Sequence, residues 1–172
     1  MGMIHIYTGD GKGKTSAAVG LAVRMAGRGK TVTVARFLKT EDSGEVEGLR
    51  RLEQVTVIPL EKSFGFVWNM TKEEKQEAAA YYRTIWEQAE RAGRDGTDLL
   101  VLDELMAAWK YEFVDRERVL SFLRHLPRGL EVVLTGRDAP GELEDMADYI
   151  TEMKKIRHPF DRGVAAREGI EY

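Results

Sequence analysis

The sequence has 172 residues, 43% of them apolar, with 26 basic and 29 acidic side chains and a formal net charge of −3; that suits one domain with a single core and argues against nucleic acid as the main partner. It contains no cysteine, which excludes disulfides, cysteine-ligated zinc and thiol catalysis. The start, Met1-Gly2-Met3-Ile4, lacks the features of a signal peptide, and no run approaches the ~18 apolar residues of a membrane span, so the expected location is the cytoplasm.

The elements alternate. Met3 to Thr8 reads as a short buried strand, and Lys14 to Arg28 as a helix stopped by Gly29. Thr31 to Phe37 is a second strand, Glu45 to Glu53 a short helix, and Val55 to Leu60 a third strand. Glu61 to Met70 is irregular and aromatic. Thr71, with Glu74 completing a capping box, opens a long helix to about Ala92 that Gly93 ends. Leu99 to Asp103 is an apolar run closed by an acid. Asp115 caps a helix through Leu126, Leu130 to Thr135 is a strand, and Pro140 begins a helix to about Asp148. The tail holds one further strand before becoming irregular. Apolar strands separated by helices predict an α/β fold, with a mostly parallel sheet covered by helices on both faces.

The first strand and first helix are joined by Thr8-Gly9-Asp10-Gly11-Lys12-Gly13-Lys14-Thr15. Gly9, Gly11 and Gly13 can adopt positive φ and turn backbone N–H groups inward, and the helix N-terminus adds positive potential. Lys14 can reach phosphates and Thr15 can ligate Mg²⁺, as in a P-loop. The usual pattern, G-x-x-x-x-G-K-[ST], would place glycine at position 8; here Thr8 stands there and Gly9 follows. Leu99-Leu100-Val101-Leu102-Asp103-Glu104 delivers two carboxylates at a strand's C-terminal end, where ligands bind in parallel sheets. Such a run is common, but beside a phosphate loop it reads as a metal-binding element, with Glu104 a base for water or a second metal ligand. The resulting fold class is P-loop NTPase-like (RecA-like). Arg137, after the Leu130 strand, suits either a phosphate contact or a surface ion pair. Phe66 and Trp68 stand two apart in the irregular segment; on residue type alone they read as core anchors. His5, His125 and His158 have no metal-ligand spacing. Met70, Met106, Met146 and Met153 read as core filler, and the charges of the Thr71 helix as a solvated face.

Several stretches together resemble the P-loop class of ATP:cob(I)alamin, or corrinoid, adenosyltransferases. They are Tyr7 to Thr15, Gly65-Phe66-Val67-Trp68, Leu102-Asp103-Glu104-Leu105, Thr135-Gly136-Arg137, Ala147-Asp148, Lys155 to Gly163, and Gly169-Ile170-Glu171-Tyr172. The resemblance spans essentially the whole chain and includes the shifted glycine. Family members often carry an N-terminal extension, so a lid formed by that segment is expected to be missing here. The family's Gln-Phe-Ile-Lys-Gly is replaced by Arg36-Phe37-Leu38-Lys39-Thr40.

The resemblance implies transfer of the 5′-deoxyadenosyl group from ATP to cobalt(I), with tripolyphosphate leaving. Lys14, the loop amides, Mg²⁺ and Lys12 would stabilise that polyanion. The shifted glycine would mark a loop that turns C5′, rather than the γ-phosphorus, toward the nucleophile. The nucleophile is the corrinoid itself, so no triad is needed. Phe66 and Trp68 would pack on the corrinoid's lower face and displace its axial ligand. The electron would come from a reduced flavin or flavoprotein, and the assembly would be a homodimer. Thr8 to Thr15 and Arg137 would bind nucleotide, and Thr15, Asp103 and Glu104 would hold the metal. Other readings are a P-loop ATPase or small-molecule kinase, and a non-catalytic nucleotide- or corrinoid-binding regulator.

Overall fold

A computed structural model describes residues 2–171; Met1 and Tyr172, the last residue of the matching tail, lie outside the described residues. Six strands form one sheet: β1 (Ile4–Thr8), β2 (Val32–Arg36), β3 (Val55–Val57), β4 (Leu99–Asp103), β5 (Glu131–Thr135) and β6 (Tyr149–Glu152). Their order is β3-β2-β4-β5-β1-β6 and every pairing is parallel. All six carboxyl ends therefore open onto one edge of the sheet. β5 lies between β1, which carries the phosphate loop, and β4, which carries Asp103. This is the P-loop NTPase-like α/β architecture.

Alternation along the strands divides the core into two layers. One face packs Val32, Val34, Leu99, Val101 and Val133 against α1 (Lys14–Ala26) and α2 (Gly44–Arg50). The other packs Ile4, Ile6, Leu100, Leu102, Val132 and Leu134 against α3 (Lys72–Arg94), α4 (Leu105–Lys110) and α5 (Arg116–Arg124). α6 (Gly141–Glu144) adds Leu143 to this second layer. Among the described residues no helix is long and apolar enough to cross a membrane.

Several boundaries differ from the sequence reading, for identifiable reasons. β3 stops at Val57; Ile58 donates one more hydrogen bond, to Val34 O, and then Pro59, having no N–H, ends the ladder. α4 escaped notice because its N-cap, Glu104, is a left-handed residue (φ 59) whose side chain makes no cap bond. α6 is a single turn with Pro140 as N-cap, and α5 ends at Arg124. The capping box of Thr71 and Glu74 is present.

Gly93 does not end α3. The helix continues to Arg94, and the chain turns at Gly96 (φ 104). Gly93 is glycine because a Cβ there would lie 2.8 Å from Phe122 Cζ and 3.2 Å from Leu130 Cδ2. The acidic face of α3 is also not wholly solvated. Glu90 is buried, held by Arg94 (2.8 Å) and Arg118 (2.7 Å), and these partners outweigh its burial to keep the carboxyl below the usual range. Gly93→Leu would overpack this contact. The expected cost is about 1–3 kcal/mol, seen as a lower urea midpoint with an unchanged denaturant slope.

Candidate functional site

Four segments meet at the carboxyl edge of the sheet and enclose a cleft of about 640 Å³. The phosphate loop contributes Asp10 to Thr15, the turn after β2 contributes Lys39, and the ends of β4 and β5 contribute Glu104 and Arg137. Arg137 is thereby brought to the cleft, and no ion pair to it is formed among the described residues. His158 and Gly169 to Glu171 of the tail line the same cleft.

The loop's glycines do more than one job. Gly9 (φ 103) and Gly13 (φ 120) have positive φ; Gly11 does not, contrary to expectation. Gly11 instead packs against backbone: a Cβ on it, or on Gly9, would lie 2.5 Å from Met153 O. Gly11 N–H donates to Met153 O (2.6 Å), Met153 N–H donates to Thr8 O (2.8 Å), and Lys155 N–H donates to Asp10 Oδ1 (2.8 Å). That last bond chiefly holds the Asp10 carboxyl below its usual range. The segment after β6 therefore forms one wall of the loop. It takes Gly11 N–H out of the phosphate cradle, while the N–H groups of Lys12 and Gly13 have no backbone acceptor among the described residues. The same packing explains the displaced glycine. Thr8 is still a strand residue, in register with Glu152, and the close approach begins at Gly9. Met153 thus matters through its backbone; its side chain is only partly buried, unlike those of Met70 and Met106.

Lys14 is buried, and its ammonium donates to Gly9 O (2.8 Å) and Gly11 O (2.9 Å). Burial pushes its pKa down. Both acceptors are neutral carbonyls, which an anionic phosphate would outcompete. Lys12 points elsewhere: its ammonium donates to Ile170 O (2.6 Å) and pairs with Glu171 Oε1 (3.1 Å). Arg167 also holds Glu171, and its hydrogen bond is the main cause that pulls the carboxyl down to about 2.

Asp103 is 2% exposed. Its Oδ1 accepts from Thr135 Oγ1 (2.6 Å) and Thr15 Oγ1 (2.9 Å). Its Oδ2 faces Lys39 Nζ at 3.2 Å but accepts no hydrogen bond. An anionic oxygen left open beside a threonine hydroxyl is the donor set a hard divalent cation requires. Thr15, Asp103 and Glu104 therefore fit Mg²⁺. Among the described residues no three carboxylates or histidines converge, so phosphate or water oxygens must complete the shell. Burial, and then the neighbouring Asp103 charge, raises the pKa of Glu104. For Lys39, burial acts downward, but Asp103 and Glu104 outweigh it and hold the ammonium above its ordinary value.

Lys39 was missed as a site residue. The signal was available, since it is the one position besides Phe37 where Arg36-Phe37-Leu38-Lys39-Thr40 agrees with the family pattern. Phe66 and Trp68 are not core anchors. Val67 and Met70 bury themselves in the core, while Phe66 and Trp68 are 65% and 72% exposed and stack on each other with centroids 4.5 Å apart. Their segment leaves the carboxyl end of β3, on the same sheet edge as the phosphate loop. The histidines have local roles: His5 bonds Glu131, His125 bonds Ser121 O, and His158 accepts from Phe160 N–H.

Residues 1–172 match the family model described as ATP:corrinoid adenosyltransferase BtuR/CobO/CobP. The chain is 36% identical to a corrinoid adenosyltransferase of Escherichia coli, over 99% of this chain and 86% of that protein. It is 37% identical to the corrinoid adenosyltransferase CobA of Salmonella typhimurium, with the same coverage. It is 34% identical to the Pseudomonas aeruginosa corrinoid adenosyltransferase, over 99% and 84% of the two chains. Among solved structures, the cytoplasmic domain of the Thermomonospora curvata type VII secretion ATPase EccC aligns at 17% identity and a TM-score of 0.47, over 86% of this chain and 20% of that one, too distant to bear on the site. A phosphate loop with its glycine displaced, an open acidic oxygen opposite it, and full-length matches of this kind have one consistent meaning: the chain belongs to the ATP:corrinoid adenosyltransferase family.

Proposed function

We propose that this enzyme transfers the 5′-deoxyadenosyl group of ATP to the cobalt of cob(I)alamin or a related corrinoid, releasing tripolyphosphate, in adenosylcobalamin formation. The observation that carries the reading is the pairing of two surfaces on one sheet edge. One is a cleft lined by Lys14, Lys39 and Arg137; the other is the exposed Phe66–Trp68 stack. The first suits a polyphosphate and the second a flat apolar macrocycle. A kinase or ATPase reading accounts for the first and leaves the second without a purpose.

The bond that forms joins cobalt to ribose C5′; the bond that breaks joins C5′ to the triphosphate oxygen, which leaves with the electron pair. The nucleophile belongs to the substrate, so the protein's part is to hold and to stabilise. Thr8 to Thr15 and Arg137 bind the nucleotide. Lys14 leaves its two loop carbonyls for the leaving phosphates and neutralises charge as it develops. Lys12 joins it once freed from Glu171. Thr15, Asp103 and Glu104 hold Mg²⁺, which when bound supplies Lewis-acid neutralisation of the polyanion. Phe66 and Trp68 exclude water and the axial donor from the lower face of cobalt, which eases reduction to Co(I). With no cysteine in the sequence, a reduced flavin or flavoprotein supplies the electron. The chain acts as a single P-loop domain, as a homodimer, in the cytoplasm.

The deciding experiment incubates the protein with ATP, Mg²⁺ and chemically reduced cobalamin. Adenosylated corrinoid and tripolyphosphate are expected in equal amounts; ADP or orthophosphate as the product would refute the assignment. Lys14→Gln is expected to lower kcat by roughly 10²–10³, the scale of losing one transition-state donor, measured with pre-reduced cobalamin. Phe66→Ala and Trp68→Ala are expected to cripple turnover from cob(II)alamin with a flavin reductant while calorimetric ATP affinity stays at the wild-type value. Equal losses in both measurements would count against a corrinoid-facing role.

A further inference from the structure

Lys39 lies in a turn that the fold holds tightly. Phe37 N–H donates to Asp103 O (2.9 Å), and the buried Arg36 donates to Thr40 O (2.8 Å). Glu41 bonds both Arg36 and Arg50 and accepts Leu60 N–H (3.0 Å). Leu38 adopts φ 53, a conformation that a leucine takes only under constraint. Arg36, 1% exposed, thus forms the base of a clamp with Lys39 at its tip. The Lys39 ammonium lies 3.2 Å from Asp103 Oδ2 and donates to Thr15 Oγ1 at 3.3 Å. Those are the oxygens of the two side chains assigned above to the metal. A buried carboxylate needs a counter-charge, and the turn supplies one.

We propose that Lys39 is the resident cation of the Thr15–Asp103 pair, and that binding of the magnesium-loaded triphosphate displaces its ammonium from Asp103 onto the phosphate oxygens. The inference rests on the metal and nucleotide assignment above and adds a residue to it. An ammonium and a divalent ion cannot share the same two oxygens. The lysine stem is long enough to swing its head into the cleft, which Lys39 already lines with Lys14 and Arg137. One residue then serves two states. Without metal it keeps the acid ordered; with metal it adds positive charge beside the leaving group.

The test is calorimetric titration of ATP into the full chain, in Mg²⁺ and in EDTA, for wild type, Lys39→Met, Lys39→Gln and Asp103→Asn. The quantity read is the factor by which Mg²⁺ tightens ATP. In Lys39→Met that factor is expected to rise about tenfold, the scale of one charged hydrogen bond. The metal there has no ammonium to displace, and the metal-free complex has lost a phosphate partner. Lys39→Gln should behave the same way, and it replaces Lys39→Met if thermal melting shows that variant unfolded. A factor equal to or below that of wild type in both variants overturns the proposal. Asp103→Asn separates the two levels. If it abolishes the wild-type factor while the Lys39 variants leave it unchanged, only the role of Lys39 fails. If it leaves the factor intact, the metal assignment fails and the proposal falls with it.

Discussion

The arrangement of the site depends on a single buried carboxylate. Asp103 ends the central strand β4 at 2% exposure, and an ionised group at that depth is costly unless it is surrounded by partners. Its partners come from three other segments: Thr135 from β5, Thr15 from α1 and Lys39 from the turn after β2. Its backbone oxygen also receives Phe37 N–H. Each partner lowers the cost of the charge, and each is thereby fixed in position. Hydrophobic packing holds the two layers together, but it does not specify where their edges meet; the directional bonds to Asp103 do.

An all-parallel sheet turns that local constraint into a binding edge. Two inter-strand spacings, roughly 10 Å, separate the ends of β1 and β4, because β5 lies between them. That gap is wide enough for a polyphosphate. α1 starts over it and brings Thr15 back to Asp103 (2.9 Å). The resulting cleft is polar throughout, and the apolar pair Phe66 and Trp68 is kept off its lining, on the segment that follows the outer strand β3. Charge stabilisation and macrocycle recognition thus occupy separate parts of one edge, so each can keep the dielectric environment it needs.

Much of this could be read from the sequence, because local chemistry carried it. The alternation of apolar runs and helices, the cap at Thr71, and Lys14-Thr15 after a glycine-rich turn all follow from neighbouring residues. What could not be read involved partners far along the chain. Gly93 looked like a helix stop because nothing near it mentions Phe122. The glycine at position 9 looked like a displaced motif because its neighbour, Met153, is in the tail. α4 has no cap to announce it, and its start is set by the strained Glu104. The aromatic pair misled on residue type alone: of four neighbouring positions, Val67 and Met70 went inward while Phe66 and Trp68 stayed out. Lys39 carried no cue beyond its agreement with the family pattern, and its importance emerges only when Asp103 is found opposite it.

The wall that the segment after β6 builds against the phosphate loop also bears on how the molecule is made. Asp10 and Lys155 are 145 positions apart, and the β1–β6 pairing that aligns them is the outermost of the sheet. Contacts of such long sequence separation carry a large loop-closure cost and form late. On the ribosome, the first strand and its glycine loop emerge early and must wait for nearly the whole chain before that wall exists. The enzyme's capacity to grip a nucleotide is thus coupled to completion of the sheet, and a partly synthesised chain presents a loop that has glycine's freedom without the neighbour that shapes it.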